Sequence, residues 1–401
     1  MAHYVVIGAG QAGSALVAKL RASGFDGQVT LIGEEAVPPY QRPPLSKKYL
    51  LGEMELERLF LRPEAYYADN DITLKLSRAA AKIDAAAKTV TIGDEVIAYD
   101  KLALTTGSVP RRLPAAIGGD LDGVYVVRGL SDVDAMAPEF TDGRRVLIIG
   151  GGYIGLEAAA VAAKLGLKVT LVEMADRILQ RVAAPETSDY FRDLHQSNGV
   201  DIREGVGLKC LTGEGRVSGA ELSDGTTLDI DFAIVGVGIM PADALAAEAG
   251  LTIDNGIAVN EFGQTSDPDV YAAGDCASFP GPNGQMRLES VQNAIDQAEN
   301  AAENMMGADK PYRPEPWFWS DQYDTHLQIA GLNTGYDRIV TRQDGAALSH
   351  WYYKGDTFLA VDAINDPRAY MVGKRLLSMG KTPDPAAVAD ASTDLKQLMK
   401  A

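Results

Sequence analysis

The feature that most constrains this 401-residue chain is a strand, a glycine cluster and a helix that occur together twice. Residues 3–8 form a short apolar run with β-branched members, Gly8-Ala9-Gly10-Gln11-Ala12-Gly13 follows, and the apolar spacing predicts a helix over 12–23. Residues 28–33 (QVTLIG) read as a second strand. The pattern returns with RVLII at 145–149, Gly150-Gly151-Gly152-Tyr153-Ile154-Gly155, an alanine-rich helix over about 154–165 and KVTLV at 168–172. Two such units, about 142 positions apart, predict a duplicated α/β architecture rather than a short-period solenoid.

Each glycine in such a cluster answers a separate physical demand. The first (Gly8, Gly150) permits the tight turn, the second (Gly10, Gly152) lets backbone approach a pyrophosphate, and the third (Gly13, Gly155) lets helix and strand pack closely. Phosphates then sit at a helix N-terminus, where unpaired N–H groups and the helix dipole favour anions. A lone cluster also suits a simple α/β turn, but here each is followed by an acidic residue at ribose-binding spacing. Glu34 follows the second strand, and Glu173 stands 23 residues after Gly150. A carboxylate there accepts hydrogen bonds from a ribose 2′-hydroxyl and repels a 2′-phosphate. No arginine adjoins Glu173, Arg177 lying four residues on, so the second cluster reads as a site for NADH rather than NADPH. Asp176 is assigned no role.

Between and after these units the chain carries short strands, among them 89–92, 102–105, 218–222, 227–231 and 232–236. Asp224-Gly225 is a strong hairpin signal. Residues 311–316 (PYRPEP) read as an extended linker. Beyond it, strands at 327–332, 348–353 and 357–364, a Lys354-Gly355-Asp356 turn and a helix over 367–379 predict a smaller α+β domain.

Composition excludes several classes. The formal charge of −18 disfavours nucleic acid and anionic membrane as partners. No apolar run approaches the roughly 18 residues of a membrane span. The N-terminus lacks the basic and long apolar regions of a secretory signal, so a cytoplasmic setting is expected. Two distant cysteines, Cys210 and Cys276, rule out a disulfide framework and a Cys-rich metal site. His3, His195, His326 and His350 show no metal-ligand spacing, and no metal site is expected.

Further motifs carry a family resemblance. LALTTG at 102–107 resembles the apolar-run-then-Ala-Thr-Gly element of the glutathione-reductase superfamily, with Thr105 where alanine is usual. TSDPDVYAAGD at 265–275 resembles its second flavin motif. Within that superfamily, YQRPPLSK at 40–47, GGGYIGLE at 150–157, LQRV at 179–182, GDCA at 274–277, ESVQNA at 289–294 and WFWSDQ at 317–322 resemble most the NADH-dependent ferredoxin reductases of cytochrome P450 and Rieske oxygenase systems.

The resemblance implies FAD and NADH as cofactors. It also implies two Rossmann-like domains plus a C-terminal α+β domain: residues 1–110 with 239–314 for FAD, 111–238 for NADH, and 315–401. Hydride would pass from NADH to flavin N5, and single electrons from the flavin to a [2Fe–2S] ferredoxin. Lys47 falls at the position beside N5 and Glu157 at the position that pairs with it near the nicotinamide. A lysine there stabilises negative charge on the reduced ring. Asp275 takes the ribityl role, and the helix beginning at Ser290-Val291 points its dipole at the N1–C2 edge. The flavin set is completed by Ala12, Arg42, Thr106, Gly107, Arg111 and Trp319, and the nicotinamide set by Tyr153, Ile154, Gly236 and Gly238. Trp317 suits either the partner surface or core packing. The family implies a monomer, with oligomeric state left open.

Three alternatives use the same scaffold. Disulfide, CoA-disulfide or peroxide reduction needs a thiolate near the flavin, yet residues 14–60 hold no cysteine, and Cys276 reads as a small buried hydrophobe. A flavoprotein like apoptosis-inducing factor keeps the Lys–Glu pair but uses NADH to change partners; the absence of a long disordered insert or basic run disfavours it. A rubredoxin reductase keeps every motif. Arg62, Arg313, Arg338, Lys374 and Arg375 are candidate cations for an acidic ferredoxin, against an overall charge that opposes its steering.

Overall fold

A computed structural model describes residues 1–282 and 284–399, which divide into two compact units. Among the described residues, one comprises 1–42, 54–109 and 239–314, and the other 43–53, 110–238 and 315–399. The Lys47 segment falls in the second of these units.

The first unit is built on five parallel strands in the order Val270–Ala272, Lys101–Leu104, His3–Ile7, Gln28–Ile32, Ile72–Lys75. The central strand is buried on both faces, Tyr4 and Val6 entering one apolar cluster and Val5 and Ile7 another. Such a strand reads as a continuous apolar run rather than an alternation. Helices Gln11–Ala22 and Val291–Met305 share one of these clusters. In the latter, Ala294, Ala298, Ala301, Ala302 and Met305 are buried at helical spacing. Their small side chains let the helix lie close to Ala12, Ala15 and Leu16. Ser290 caps it, its Oγ accepting from Asn293 N at 3.1 Å, which contributes about 1 kcal/mol. The linker is fastened, since the Tyr312 hydroxyl donates to Asn293 Oδ1 at 2.8 Å and its ring meets Phe279 edge-on at 5.4 Å.

In the second unit the parallel order is Asp201–Glu204, Lys168–Glu173, Arg145–Ile149, Phe232–Val235, Val124–Tyr125. The Asp224-Gly225 turn joins Gly219–Leu222 to Thr227–Asp229, with Thr226 N donating to Asp224 Oδ1 at 2.9 Å. A second, antiparallel sheet runs Trp317–Gln322, Thr325–Gly331, Thr357–Ile364, Ala347–Lys354, Arg338–Asp344. Helix Pro367–Ser378 closes its core over Trp351, Tyr353, Phe358 and Val361. Trp317 packs against that core, its ring 6.2 Å from Tyr370 with Lys374 Nζ 4.9 Å from its centroid.

Parallel strands place their carboxyl ends at one edge, the usual seat of ligands in open α/β sheets. In the first unit Gly8, Glu34, Thr105-Thr106 and Ala273–Asp275 leave the strands at that edge. In the second, Gly150, Glu173 and Gly236 do so.

Candidate functional site

In the first unit a Cβ on Gly8 would lie 2.2 Å from the Thr105 carbonyl oxygen, and one on Gly13 would lie 2.0 Å from that of Gly8. A Cβ on Gly10 would meet nothing within 4 Å among the described residues. Packing within the protein therefore demands the first and third glycines, while the second borders open space at a helix N-terminus. That is the fit expected for a pyrophosphate. Thr105 donates its hydroxyl to the carbonyls of Gly8 at 2.8 Å and Ile7 at 3.1 Å, so the departure from alanine satisfies strand-end acceptors beneath the turn. A Cβ on Gly274 would be 3.1 Å from that of Ala12, which brings Asp275 to the same edge.

Asp275 accepts from Ser108 Oγ at 2.9 Å, and Thr106, followed by Gly107, donates to Ala242 O at 2.6 Å. Glu34 is exposed and makes no hydrogen bond or ion pair among the described residues. Its neighbour Glu35 holds Arg42 at 2.6 Å and the Tyr40 hydroxyl at 2.5 Å. The Ser290-Val291 helix start belongs to this unit, whereas Lys47, Arg111 and Trp319, expected in the same flavin set, belong to the other. Cys276 is fully buried, its Sγ 3.4 Å from Ala273 O, and burial pushes the thiol up, away from the reactive thiolate.

The second cradle repeats the first. A Cβ on Gly150 would lie 2.3 Å from Gly236 O and one on Gly155 2.1 Å from Gly150 O, while one on Gly152 would meet nothing within 4 Å among the described residues. Glu173 is pinned at this turn, accepting from Gly151 N at 2.7 Å and Ala175 N at 2.8 Å. A carboxylate has about four acceptor positions, so others remain for ribose hydroxyls. The Arg177 guanidinium turns into its own loop, donating to Ser188 Oγ at 2.5 Å and Ala183 O at 2.8 Å. Arg111 donates its backbone N–H to Gly238 O at 2.9 Å, and its side chain and that of Arg181 flank Gly238. Ile154 is 43% exposed at the helix start. The Tyr153 ring meets Phe318 at 4.8 Å. Its hydroxyl is buried with no partner among the described residues, and burial raises it well above the ordinary phenol range.

Glu157, 5% exposed on helix Tyr153–Lys164, receives Lys47 Nζ at 2.7 Å. Ser46 donates to the same oxygen, Oε2, at 2.8 Å, and Ser320 donates to Oε1 at 2.7 Å. A buried ion pair is tolerated only when its remaining polar positions are hydrogen-bonded, and both carboxylate oxygens are. Ser46 and Ser320 stand inside motifs legible in the sequence, yet had no role there. The available signal is β alternation: Phe318, Ser320 and Gln322 share one face of their strand, while Trp317 and Trp319, 5.5 Å apart, share the other.

Glycine turns under two helix N-termini, an acidic residue after each second strand and one buried Lys–Glu pair define a flavin- and nicotinamide-type reductase scaffold. Residues 2–298 match the pyridine nucleotide-disulphide oxidoreductase family and residues 317–399 the reductase C-terminal family. The chain belongs to the pyridine nucleotide-disulphide oxidoreductase family. It is 41% identical over 398 residues to rhodocoxin reductase of Rhodococcus erythropolis, covering 98% of this chain and 93% of that one. It is 42% identical over 407 residues to a ferredoxin–NAD(P)+ reductase of a Sphingomonas species, covering 99% and 98%. The structure of a covalent putidaredoxin reductase–putidaredoxin complex superposes with a TM-score of 0.95 at 38% identity, covering 100% of this chain and 98% of that one.

Proposed function

We propose that this chain is an NADH-dependent ferredoxin reductase that uses FAD to deliver electrons to a [2Fe–2S] ferredoxin. The observation that carries the reading is the pair of glycine cradles, each closed to a side chain at its first and third positions and open at its second. The relatives named as reductases of rhodocoxin and ferredoxin, and the solved complex with putidaredoxin, support the protein acceptor. Bound flavin supplies the link between a two-electron nicotinamide and a one-electron carrier.

The chain's own residues do the rest. Gly10 and the helix behind it admit the FAD pyrophosphate, Glu34 offers a carboxylate to its ribose, and Asp275 holds a ribityl hydroxyl. Gly152 admits the NADH pyrophosphate. Glu173, held by two backbone N–H groups, accepts from a 2′-hydroxyl and repels a 2′-phosphate. Arg177 is committed to Ser188 and Ala183, so it does not offset that repulsion. Glu157 holds the Lys47 ammonium in place as a preorganised positive charge for the reduced flavin. With Cys276 buried as a thiol and Cys210 placed in the other unit, the flavin-type cradle is left without a thiolate nucleophile of its own. An oxygenase as final consumer of the electrons and a cytoplasmic setting belong to the same proposal.

The test is anaerobic reduction by NADH or NADPH followed by stopped-flow mixing with a panel of [2Fe–2S] ferredoxins and rubredoxins. The expected result is faster bleaching with NADH and rapid reduction of at least one ferredoxin. Preference for a rubredoxin would redirect the proposal to that carrier, and a reduced flavin that serves neither carrier would overturn it.

A further inference from the structure

The hydrogen bonds around Glu157 do not end at Ser320. Ser320 Oγ lies 3.1 Å from Gln322 Nε2, Gln322 Oε1 lies 2.8 Å from His195 Nε2, and His195 Nδ1 lies 3.2 Å from the Tyr323 hydroxyl. Ser320, Gln322 and His195 are buried, and Tyr323 is half-buried. His195 comes from helix Pro185–Ser197, and the others from strand Trp317–Gln322 and the residue after it. A line of polar side chains thus runs from the carboxylate through the interior of the second unit. Polar groups are costly there unless each is satisfied.

The carboxylate dictates the direction of the whole line. Paired with Lys47, Glu157 only accepts. Ser320 has one proton and gives it to Glu157, so its oxygen must accept from Gln322. The Gln322 amide NH2 therefore faces Ser320, and its carbonyl faces His195. A carbonyl only accepts, so His195 carries its proton on Nε2, and Nδ1 accepts from Tyr323. Every donor points toward Glu157. Burial holds the His195 imidazolium down to about 4, so at neutral pH the ring is uncharged and its tautomer alone is at stake.

We propose that Ser320, Gln322, His195 and Tyr323 are positioning residues, a one-way hydrogen-bond array that keeps the Glu157 carboxylate turned so that Oε2 stays on Lys47. The inference rests on Lys47 and Glu157 being the working pair. Several other charged groups of this unit are committed elsewhere. Arg145 pairs with Asp229 and Asp231, Glu173 accepts from Gly151 and Ala175, and Asp321, on the opposite strand face, pairs with His326. Tyr153, on the helix of Glu157 itself, is a further titratable neighbour, and buried Asp362 and Tyr352 act on it in turn, while Lys164 on the same helix pairs with Glu53.

The experiment is ring-nitrogen NMR of the holoprotein labelled with 15N-histidine, together with NADH reduction kinetics. Wild type is expected to show His195 as the Nε2–H tautomer. Glu157→Gln is expected to give mixed tautomers, because an amide at 157 can donate to Ser320 and let the line run either way. Ser320→Ala and Gln322→Leu should slow flavin reduction about tenfold at unchanged NADH Kd, the cost of a misdirected catalytic group. Ser320→Thr, which keeps the hydroxyl, should restore the rate. An Nδ1–H tautomer in wild type, or a tautomer indifferent to Glu157→Gln, overturns the array. Variants that lose only thermal stability, with rate and tautomer intact, reduce it to packing. Normal flavin reduction in Lys47→Ala beside the expected tautomers would instead overturn the pair while leaving the array standing.

Discussion

Gly152→Ala and Gly155→Ala add the same methyl group three residues apart in the second cradle, with opposite consequences expected. At 155 the new carbon would sit 2.1 Å from the Gly150 carbonyl oxygen. Backbone stands on both sides of that contact, so the helix must retreat by roughly 1 Å, and overpacking of this kind costs about 3 kcal/mol. At 152 the backbone is ordinary extended chain, φ −83° and ψ 178°, and nothing described lies within 4 Å. There the unfolded-state effect of losing glycine stabilises by about 0.4–1 kcal/mol. Alanine is a poorer N-cap than glycine by a comparable amount, so net stability should stay within about 0.5 kcal/mol. The methyl does, however, occupy the room left for a pyrophosphate. Losing one charge-assisted hydrogen bond of about 1.5–3 kcal/mol corresponds to a rise in NADH Kd of roughly ten- to a hundredfold. Urea unfolding measures the first quantity, and saturation of anaerobic flavin reduction measures the second. An unaltered Kd in Gly152→Ala, or native stability in Gly155→Ala, would show that the two glycines do not divide packing and pyrophosphate space between them. In the first cradle Gly10→Ala should fold with native stability but purify depleted of FAD, whereas Gly13→Ala should lose stability to about the same extent as Gly155→Ala.

Glu173→Ala should raise NADH Kd about tenfold and narrow the preference over NADPH while FAD is retained; unchanged selectivity in titrations with both nucleotides rejects its role. Lys47→Ala leaves Glu157 buried with only its serines, costing about 3 kcal/mol and slowing flavin reduction. Adding Glu157→Gln should recover much of that stability, and a double-mutant cycle without coupling rejects the pair. The pH dependence of stability contains two opposed contributions. His195, lowered by burial to about 4, stays neutral in the folded chain while the unfolded chain protonates near 6.5, so its contribution falls on acidification, by about 3 kcal/mol once pH reaches 4. Asp362, fully buried and raised to about 6, takes a proton first in the folded chain, so its contribution rises by about 2 kcal/mol as pH falls from 6 to 3.8. Taken from pH 7 to 5, His195→Phe should therefore gain stability relative to wild type and Asp362→Asn should lose it; parallel urea midpoints in all three would reject both assignments.

Much of the fold was legible because its determinants are local. A strand buried on both faces announces itself in five consecutive residues, and an alanine-lined helix in its spacing. The hairpin at Asp224-Gly225 follows from a dipeptide. The glycine cradles were legible for the same reason, since each clash that forbids a side chain arises within one turn and the strand beside it. Trp317 was ambiguous, because an aromatic residue in an edge strand suits a core or a surface equally; its neighbours Tyr370 and Lys374 lie more than fifty positions away.

The two glycine cradles, the acidic residue after each and the lack of cysteine in residues 14–60 could all be read from the linear chain. Spacing and residue type are sufficient for all three. The tertiary structure alone decided how Glu157 is satisfied, by Ser46 across 111 residues and Ser320 across 163. It also set the direction of the line through Gln322 to His195, and the commitment of Arg177 to its own loop. The physical reason is that backbone strain and burial period are written in neighbouring residues. The hydrogen bonds of a buried charge must instead be completed by whichever side chains the fold brings there, and a single serine carries no mark of that duty until the chain has closed around it.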